Sequence, residues 1–303
     1  MPEILVHEVG PRDGLQMERS VVPLDVKEAW IRRIMTSGVD IVQVGSFVHP
    51  EKVPQMADTD ELFRRLVAEK RAGVTLSGLV LNEKGLERGL ACGVEMFCMG
   101  ASASDTHSRR NSGMGTDEAL RRIIGAAGRA VEAGAKVQVS VQSAFGCGFE
   151  GRIPEDRVLE MVRAYRDAGL TNVSLADTAG HADPEQVERL FGAVRALDAG
   201  IVCTCHFHNT YGLGMANIYA ALRAGVRAVE TSFVGLGGCP FTKVAAGNVA
   251  TEDFVHALQR EGRRTDVNLE VLIGLARDVA AHFGREMPGF VYKAGPMPMG
   301  AAE

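Results

Sequence analysis

Residues 4–44 read ILVHEVGPRDGLQMERSVVPLDVKEAWIRRIMTSGVDIVQV. The stretch opens on a β-rich run, Ile4 to Val9. A Gly/Pro loop follows. Asp25 to Met35 then carries Ala29, Trp30, Ile31 and Ile34, which are available for burial on a helix. Ser37-Gly38 marks the helix end, and Val39 to Val44 is β-rich again. Strand, helix and strand in this order make one parallel crossover unit.

The alternation continues along the chain. Further strands are expected at Val74 to Val80, Val94 to Met99, Val137 to Val141, Val173 to Leu175, Ile201 to Cys205 and Ala228 to Phe233. Helices are expected between them at Thr59 to Ala68, Glu83 to Cys92, Asp117 to Ala133, Pro154 to Ala168, Pro184 to Leu197 and Ala216 to Ala224. Gly134, Gly169, Gly200 and Gly225 sit where C-cap glycines belong. Eight strand starts in strict alternation predict an α/β protein, a (β/α)8 TIM barrel. A doubly wound open sheet is the alternative, but no Gly-x-Gly-x-x-Gly opens the first helix. Glu252 to Gln259 supplies the last helix of the barrel. A C-terminal helical extension to about Phe283 and a loose tail, Pro288 to Glu303, follow. The expectation is one catalytic domain over residues 1–303. Its barrel spans about 4–262, and the extension and tail about 263–303.

The chain has 303 residues, 46% of them hydrophobic and 23% charged, enough for a large core. Glycine is in excess, at 35 residues, with no Gly-X-Y period, which points to many tight loops. A net charge of -5 argues against wholesale binding of nucleic acid or an anionic membrane. No apolar run reaches the roughly 18 residues of a spanning helix, and the N-terminus lacks a signal-peptide pattern. Six cysteines do not make a disulfide scaffold, and Cys203-x-Cys205 has no matching second pair. A reducing cytoplasm is the expected compartment.

Active sites of such barrels lie at the C-terminal strand ends. Three segments there carry chemistry. Gly10-Pro11-Arg12-Asp13-Gly14-Leu15-Gln16 follows the first strand; an isolated Arg-Asp is most often a weak surface ion pair. Cys205-His206-Phe207-His208-Asn209 follows the seventh. Residues two apart in an extended segment point the same way, so His206 and His208 present both imidazoles to one side. With Asp13 they would offer two nitrogens and a carboxylate oxygen, a set suited to a divalent ion with open positions. Gly235-Leu236-Gly237-Gly238-Cys239-Pro240, followed by Gly247-Asn248, is either a plain flexible crossover or a lid that brings a thiol to the site.

Together these pieces resemble the 3-hydroxy-3-methylglutaryl-CoA lyase family, from about Ile4 to Leu258. The resemblance also rests on Ser46-Phe47-Val48, Val53-Pro54-Gln55-Met56, Ser102-Ala103-Ser104 with Asn111, and Asp177-Thr178-Ala179-Gly180. The Gly-Leu-Gly-Gly-Cys-Pro loop and Val-Pro-Gln-Met are the specific motifs; Arg-Asp-Gly and His-x-His mark a wider barrel group. The resemblance implies retro-Claisen cleavage of a 3-hydroxy-3-substituted acyl-CoA, 3-hydroxy-3-methylglutaryl-CoA or a related hydroxyacyl-CoA, to an acyl-CoA such as acetyl-CoA plus a ketone or oxo acid, with Mg2+ or Mn2+ as cofactor. It implies Asp13, His206, His208 and Asn248 as metal ligands, Arg12 facing the thioester oxygen, Cys239 as the acid for the enolate carbon, and Asp177 as an aid to proton removal. Without the resemblance, Asp177 reads equally well as an N-cap or turn residue. Gln16, Ser46, Asn209 and Arg110 are candidate substrate contacts, though Arg110, with Arg109 in the loop after the fourth strand, also reads as solvated charge. A small-molecule acyl-CoA substrate and a homo-oligomer, dimer or larger, are expected.

Two departures bear on the pocket. Gln43 stands where the family pattern has glutamate, so it orients by hydrogen bonds but accepts no proton. His-x-His is followed by Asn209-Thr210-Tyr211-Gly212-Leu213, where the pattern has Asp-Thr-Tyr-Gly-Gln. The reaction type carries over, and either a preference for a 3-hydroxyacyl-CoA other than 3-hydroxy-3-methylglutaryl-CoA or poor work on that substrate is expected. Two competing readings are a Claisen-condensing acyltransferase on a 2-oxo acid and a non-catalytic barrel that binds a metal or CoA. The acyltransferases lack the Gly-Leu-Gly-Gly-Cys-Pro loop, and the intact Arg12, Asp13, His206, His208 and Cys239 set argues against a mere binder.

Overall fold

The computed structural model describes residues 4–70, 73–238 and 247–298. Eight parallel strands close in sequence order: β1 (Leu5–Glu8), β2 (Ile41–Ser46), β3 (Thr75–Leu79), β4 (Met96–Ser102), β5 (Lys136–Gln142), β6 (Asn172–Asp177), β7 (Val202–Phe207) and β8 (Ala228–Thr231). β1 pairs with both β2 and β8, which shuts the barrel. The helices between strands are α1 (Leu24–Thr36), α2 (Thr59–Val67), α3 (Glu83–Ala91), α4 (Asp105–Ser112), α5 (Thr116–Glu132), α6 (Glu155–Asp167), α7 (Pro184–Leu197) and α8 (Gly214–Arg223). The chain then forms α9 (Thr251–Arg260), α10 (Leu269–Phe283) and α11 (Val291–Ala294). No helix among the described residues is long and apolar enough to cross a membrane.

The two faces of the sheet differ in chemistry. Val6, Val42, Leu76, Phe97, Val139, Val173, Cys205 and Val229 alternate with polar neighbours and join the buried core with helix residues such as Ile31, Phe63, Val162 and Leu190. The intervening residues His7, Gln43, Ser77, Gln138, Ser174, Thr204, His206 and Glu230 are also buried, and they converge inside the barrel. Adjacent pairs in register include His7↔Glu230, Gln43↔Ser77 and His206↔Glu230.

Three expectations need correction. β2 runs to Ser46, two residues beyond the expected end, through a register shift between Gln43 and Gly45. Arg109 and Arg110 lie on a helix, α4, rather than in a loop. Ser104 caps it by accepting from His107 N at 3.0 Å, Arg109 pairs with Asp105 four residues back, and left-handed Gly113 ends it. The segment from Pro288 is not loose as far as Pro298. The Asp253 carboxylate accepts from the backbone N–H of Phe290 and of Val291, the latter at 2.7 Å, while Gly289 N–H donates to Val234 O at 3.0 Å.

Two buried carboxyls tie the top of the barrel together. Glu8 accepts from Gly10 N (2.7 Å), Phe233 N (3.1 Å) and Thr251 Oγ1 (2.6 Å), so it joins the end of β1 to the chain after β8 and to α9. Glu252 accepts from Val234 N at 3.1 Å. Burial pushes Glu8 up to about 7 and Glu252 up to about 8. Both groups therefore hold a proton more tightly in the folded than in the unfolded chain. Their contribution to stability is full below the unfolded value of 4.5 and is lost as pH rises towards 7 and 8. Removing the Glu252 titration with Glu252→Gln should flatten this loss by roughly 1–3 kcal/mol between pH 5 and 8. Urea unfolding of both proteins across that range measures the difference; parallel curves would refute the assignment.

Candidate active site

Asp13 owes its position to a tight turn. Pro11 has no N–H to satisfy, while Arg12 N and Asp13 N both donate to Val9 O, at 3.1 and 2.7 Å. The π-helical turn, Gly10–Gly14, lifts Arg12 and Asp13 over the barrel mouth. His206 lies within β7 and His208 one residue past it. Their Nε2 atoms are 3.0 Å apart, and each is 3.9 Å from Asp13 Oδ2. The three ligand-type atoms lie within 4.8 Å of one another, so the group could hold a metal ion.

Asn248 lies beside this group. It bridges to His208 through a β-bridge, and its Nδ2 donates to Asp13 Oδ2 at 2.8 Å and to Leu236 O at 3.0 Å. Asn248 Oδ1 is buried with no hydrogen-bond partner among the described residues. A buried carbonyl oxygen without a donor is costly. A half-turn of this amide would aim the oxygen at the triad, an orientation that a cation favours and a bare carboxylate does not. Two imidazole nitrogens, a carboxylate oxygen and an orphan amide oxygen fit a divalent ion.

The charges around the triad are ordered. Burial alone would raise Asp13, but Arg12, His206 and His208 hold its carboxyl well below the usual range. Arg12 Nη1 donates to Asp13 Oδ1 and Arg12 Nε to Gln43 Oε1, so a neutral amide orients the guanidinium. Burial disfavours a charged His206, yet its hydrogen bond to Glu230 raises it. That bond, from His206 Nδ1 to Glu230 Oε2, is 2.8 Å long and leaves Nε2 to face the triad. Sequence reasoning missed Glu230. The available signal was an acid in a β-rich run, Ala228-Val229-Glu230-Thr231, on the strand that follows the two histidines.

The triad opens into a cavity of about 640 Å3. Arg12, Asp13, Gln16, Gln43, His206 and His208 line it, and His49, Lys52 and Arg122 add basic groups. Four expected site residues stand elsewhere. Asp177 is fully buried; it accepts from His181 N (2.7 Å) and Ala182 N (3.2 Å), so it holds a turn rather than facing the cavity. Burial nevertheless raises it to about 7. Ser46 is buried behind the cavity wall, with its N–H on Thr59 Oγ1 at 3.3 Å. Asn209 Oδ1 accepts from Gly214 N at 3.0 Å, at the start of α8. Arg110 lies over the Phe149 ring, 4.2 Å from its centre. Cys239 lies outside the described residues; Gly238, just before it, lines the cavity.

Gly237 lies against the proposed ligands. Its φ is +116°, and a Cβ there would sit 2.4 Å from Asn248 Nδ2 and 3.2 Å from Asp13 Oδ2. Gly237→Ala should displace Asn248 and weaken Mn2+ binding by about tenfold or more. Calorimetric titration of both proteins checks this, and unchanged affinity would count against Asn248 as part of the site.

The comparisons with known proteins agree with this fold. The HMGL-like family model matches residues 3–279. The hydroxymethylglutaryl-CoA lyase of Bacillus subtilis is 35% identical over 286 residues, 94% of this chain and 95% of that protein. The (R)-citramalyl-CoA lyase of Chloroflexus aurantiacus is 35% identical over 305 residues, 98% of this chain and 96% of that one. A solved structure of an HMG-CoA lyase from Acinetobacter baumannii, in complex with coenzyme A and 3-methylmalate, superposes with a TM-score of 0.92. It is 35% identical, and the match covers 99% of this chain and 97% of that one. With the barrel and the matches over most of its length in agreement, the chain belongs to the HMGL-like family and is a carbon–carbon lyase.

Proposed function

We propose that this lyase cleaves the C2–C3 bond of a 3-hydroxy-3-substituted acyl-CoA, with Mg2+ or Mn2+ held by Asp13, His206, His208 and Asn248. The observation that carries the reading is the convergence of Asp13 Oδ2 and the two histidine Nε2 atoms beside Arg12, on a cavity large enough for a thioester. In the reaction the 3-hydroxyl loses its proton and its oxygen becomes the carbonyl oxygen of a ketone or oxo acid. The C2–C3 electrons pass into the thioester as an enolate, and C2 then takes up a proton. A divalent ion supplies the Lewis acidity that lowers the pKa of the hydroxyl and fixes its direction. Arg12, held by Gln43 and Asp13, meets the charge that grows on the thioester oxygen. Cys239 is proposed as the acid for C2, on the family resemblance.

The proposed substrate is a 3-hydroxyacyl-CoA other than 3-hydroxy-3-methylglutaryl-CoA. Gln43 supports this, since it touches Arg12 with a neutral amide where the family pattern places a negative charge. Relatives at the same 35% identity also carry two different substrate names.

The test is a panel of 3-hydroxyacyl-CoA thioesters, with acyl-CoA and carbonyl product measured together. Cleavage should stop with a chelator and return with Mn2+. 3-Hydroxy-3-methylglutaryl-CoA should be a slow member of the panel. Gln43→Glu should change its rate relative to the best substrate by about tenfold, a single well-placed interaction. Full-rate cleavage of that thioester by the unaltered protein would refute the substrate proposal. Undiminished cleavage in chelator would refute the metal.

A further inference from the structure

We infer that His7 is a positioning residue for His206, acting through Glu230, whose second oxygen it supplies with an N–H donor. The inference rests on the reading of His206 as a metal ligand. His7 lies on β1, fully buried, and pairs in register with Glu230 across the closing seam of the barrel. Its Nε2 is 2.9 Å from Ser77 Oγ on β3, and its Nδ1 is 3.5 Å from Glu230 Oε1. The other oxygen of Glu230 holds His206 Nδ1 at 2.8 Å. Four side chains from β3, β1, β8 and β7 thus form one chain that ends on a proposed ligand.

The direction of the hydrogen bonds in this chain follows from charge. Burial lowers His7 to about 4, so its ring is neutral and carries one N–H. If Nε2 held that proton, the Nδ1 lone pair would face the Glu230 carboxylate. If Nδ1 holds it, the N–H points at Glu230 Oε1, and Ser77 donates its hydroxyl proton to Nε2. Only the second arrangement gives each group a partner. At 3.5 Å the contact with Glu230 is of ion-pair length, and Nδ1 makes no hydrogen bond among the described residues, so a small approach of the two groups gives the buried N–H its one acceptor. Glu230 also lines the cavity, so His7 is the neighbour that reaches Oε1 from the β1 side. With donors on both oxygens, the carboxylate stays fixed and charged, and it keeps the His206 proton on Nδ1. In that tautomer Nε2 carries the lone pair and faces the triad. An aliphatic residue at position 7 would fill the same space and take this donor from Oε1.

Three substitutions separate this role from simple packing. His7→Asn keeps an N–H near the Nδ1 position. His7→Gln places its amide near Nε2, towards Ser77, and offers Glu230 nothing. His7→Leu removes both. Mn2+ affinity is measured by calorimetry on the full chain, with His206→Ala as control and with thermal midpoints taken in chelator. His7→Gln and His7→Leu should bind Mn2+ about tenfold more weakly, and His7→Asn should stay close to the unaltered protein. Should His7→Leu fail to fold, the Asn and Gln pair decides. Unchanged affinity in His7→Gln, or equal loss in His7→Asn and His7→Gln, would overturn the inference and leave the metal site standing. If the unaltered protein binds no Mn2+, the metal reading fails, and this inference fails with it.

Discussion

The pairing of β1 with β8 is the contact on which the site depends. Asp13 and the two histidines are far apart in sequence, and only the closed barrel brings them together. The register that joins Leu5 to Ala228 and Glu8 to Thr231 sets how far the turn after β1 stands above the end of β7. A shift of one residue would turn every inward group on β1 outward. Glu8 guards this seam, with donors from its own turn, from Phe233 and from Thr251. It does so mostly as a neutral acid near pH 6, which spares the seam a buried charge.

The same closure sets the electrostatics. Asp13 and Glu230 are both held in their charged forms, Asp13 by Arg12 and the histidines and Glu230 chiefly by His206, in each case against the effect of burial. Arg12 is the cation that touches Asp13 and lines the same cavity. Two carboxylates and one guanidinium meet there, so once the imidazoles turn a lone pair to the site it has a local deficit of positive charge that a divalent cation would correct. Gln43 keeps that balance distinctive: a carboxylate there would compete for Arg12 and add a third negative charge.

Much of the fold was legible because barrels are punctuated by local signals. The eight β-rich runs and the C-cap glycines are set by backbone preferences of a few neighbouring residues. The His206/His208 alignment was legible for the same reason, since two-residue alternation is local. α4 was missed because Asp105–Ser112 has no apolar stripe; its stability comes from a Ser104 cap and one ion pair. Asp177 carried two readings in the sequence, and the backbone N–H groups that favour the turn reading arise from the shape of the following turn. His7 and Glu230 were invisible as a pair. Each is an unremarked polar residue in a short strand, and they meet only when the first strand closes on the last.

A crystal structure of the Mn2+-loaded protein, with anomalous scattering recorded at the manganese edge, tests the account most directly. A single strong peak should lie within about 2.0–2.4 Å of Asp13 Oδ2, His206 Nε2, His208 Nε2 and the Asn248 side-chain oxygen. An ion elsewhere, or no ion at a concentration that supports cleavage, would contradict the claim that the seam between β1 and β8 exists to assemble a metal site.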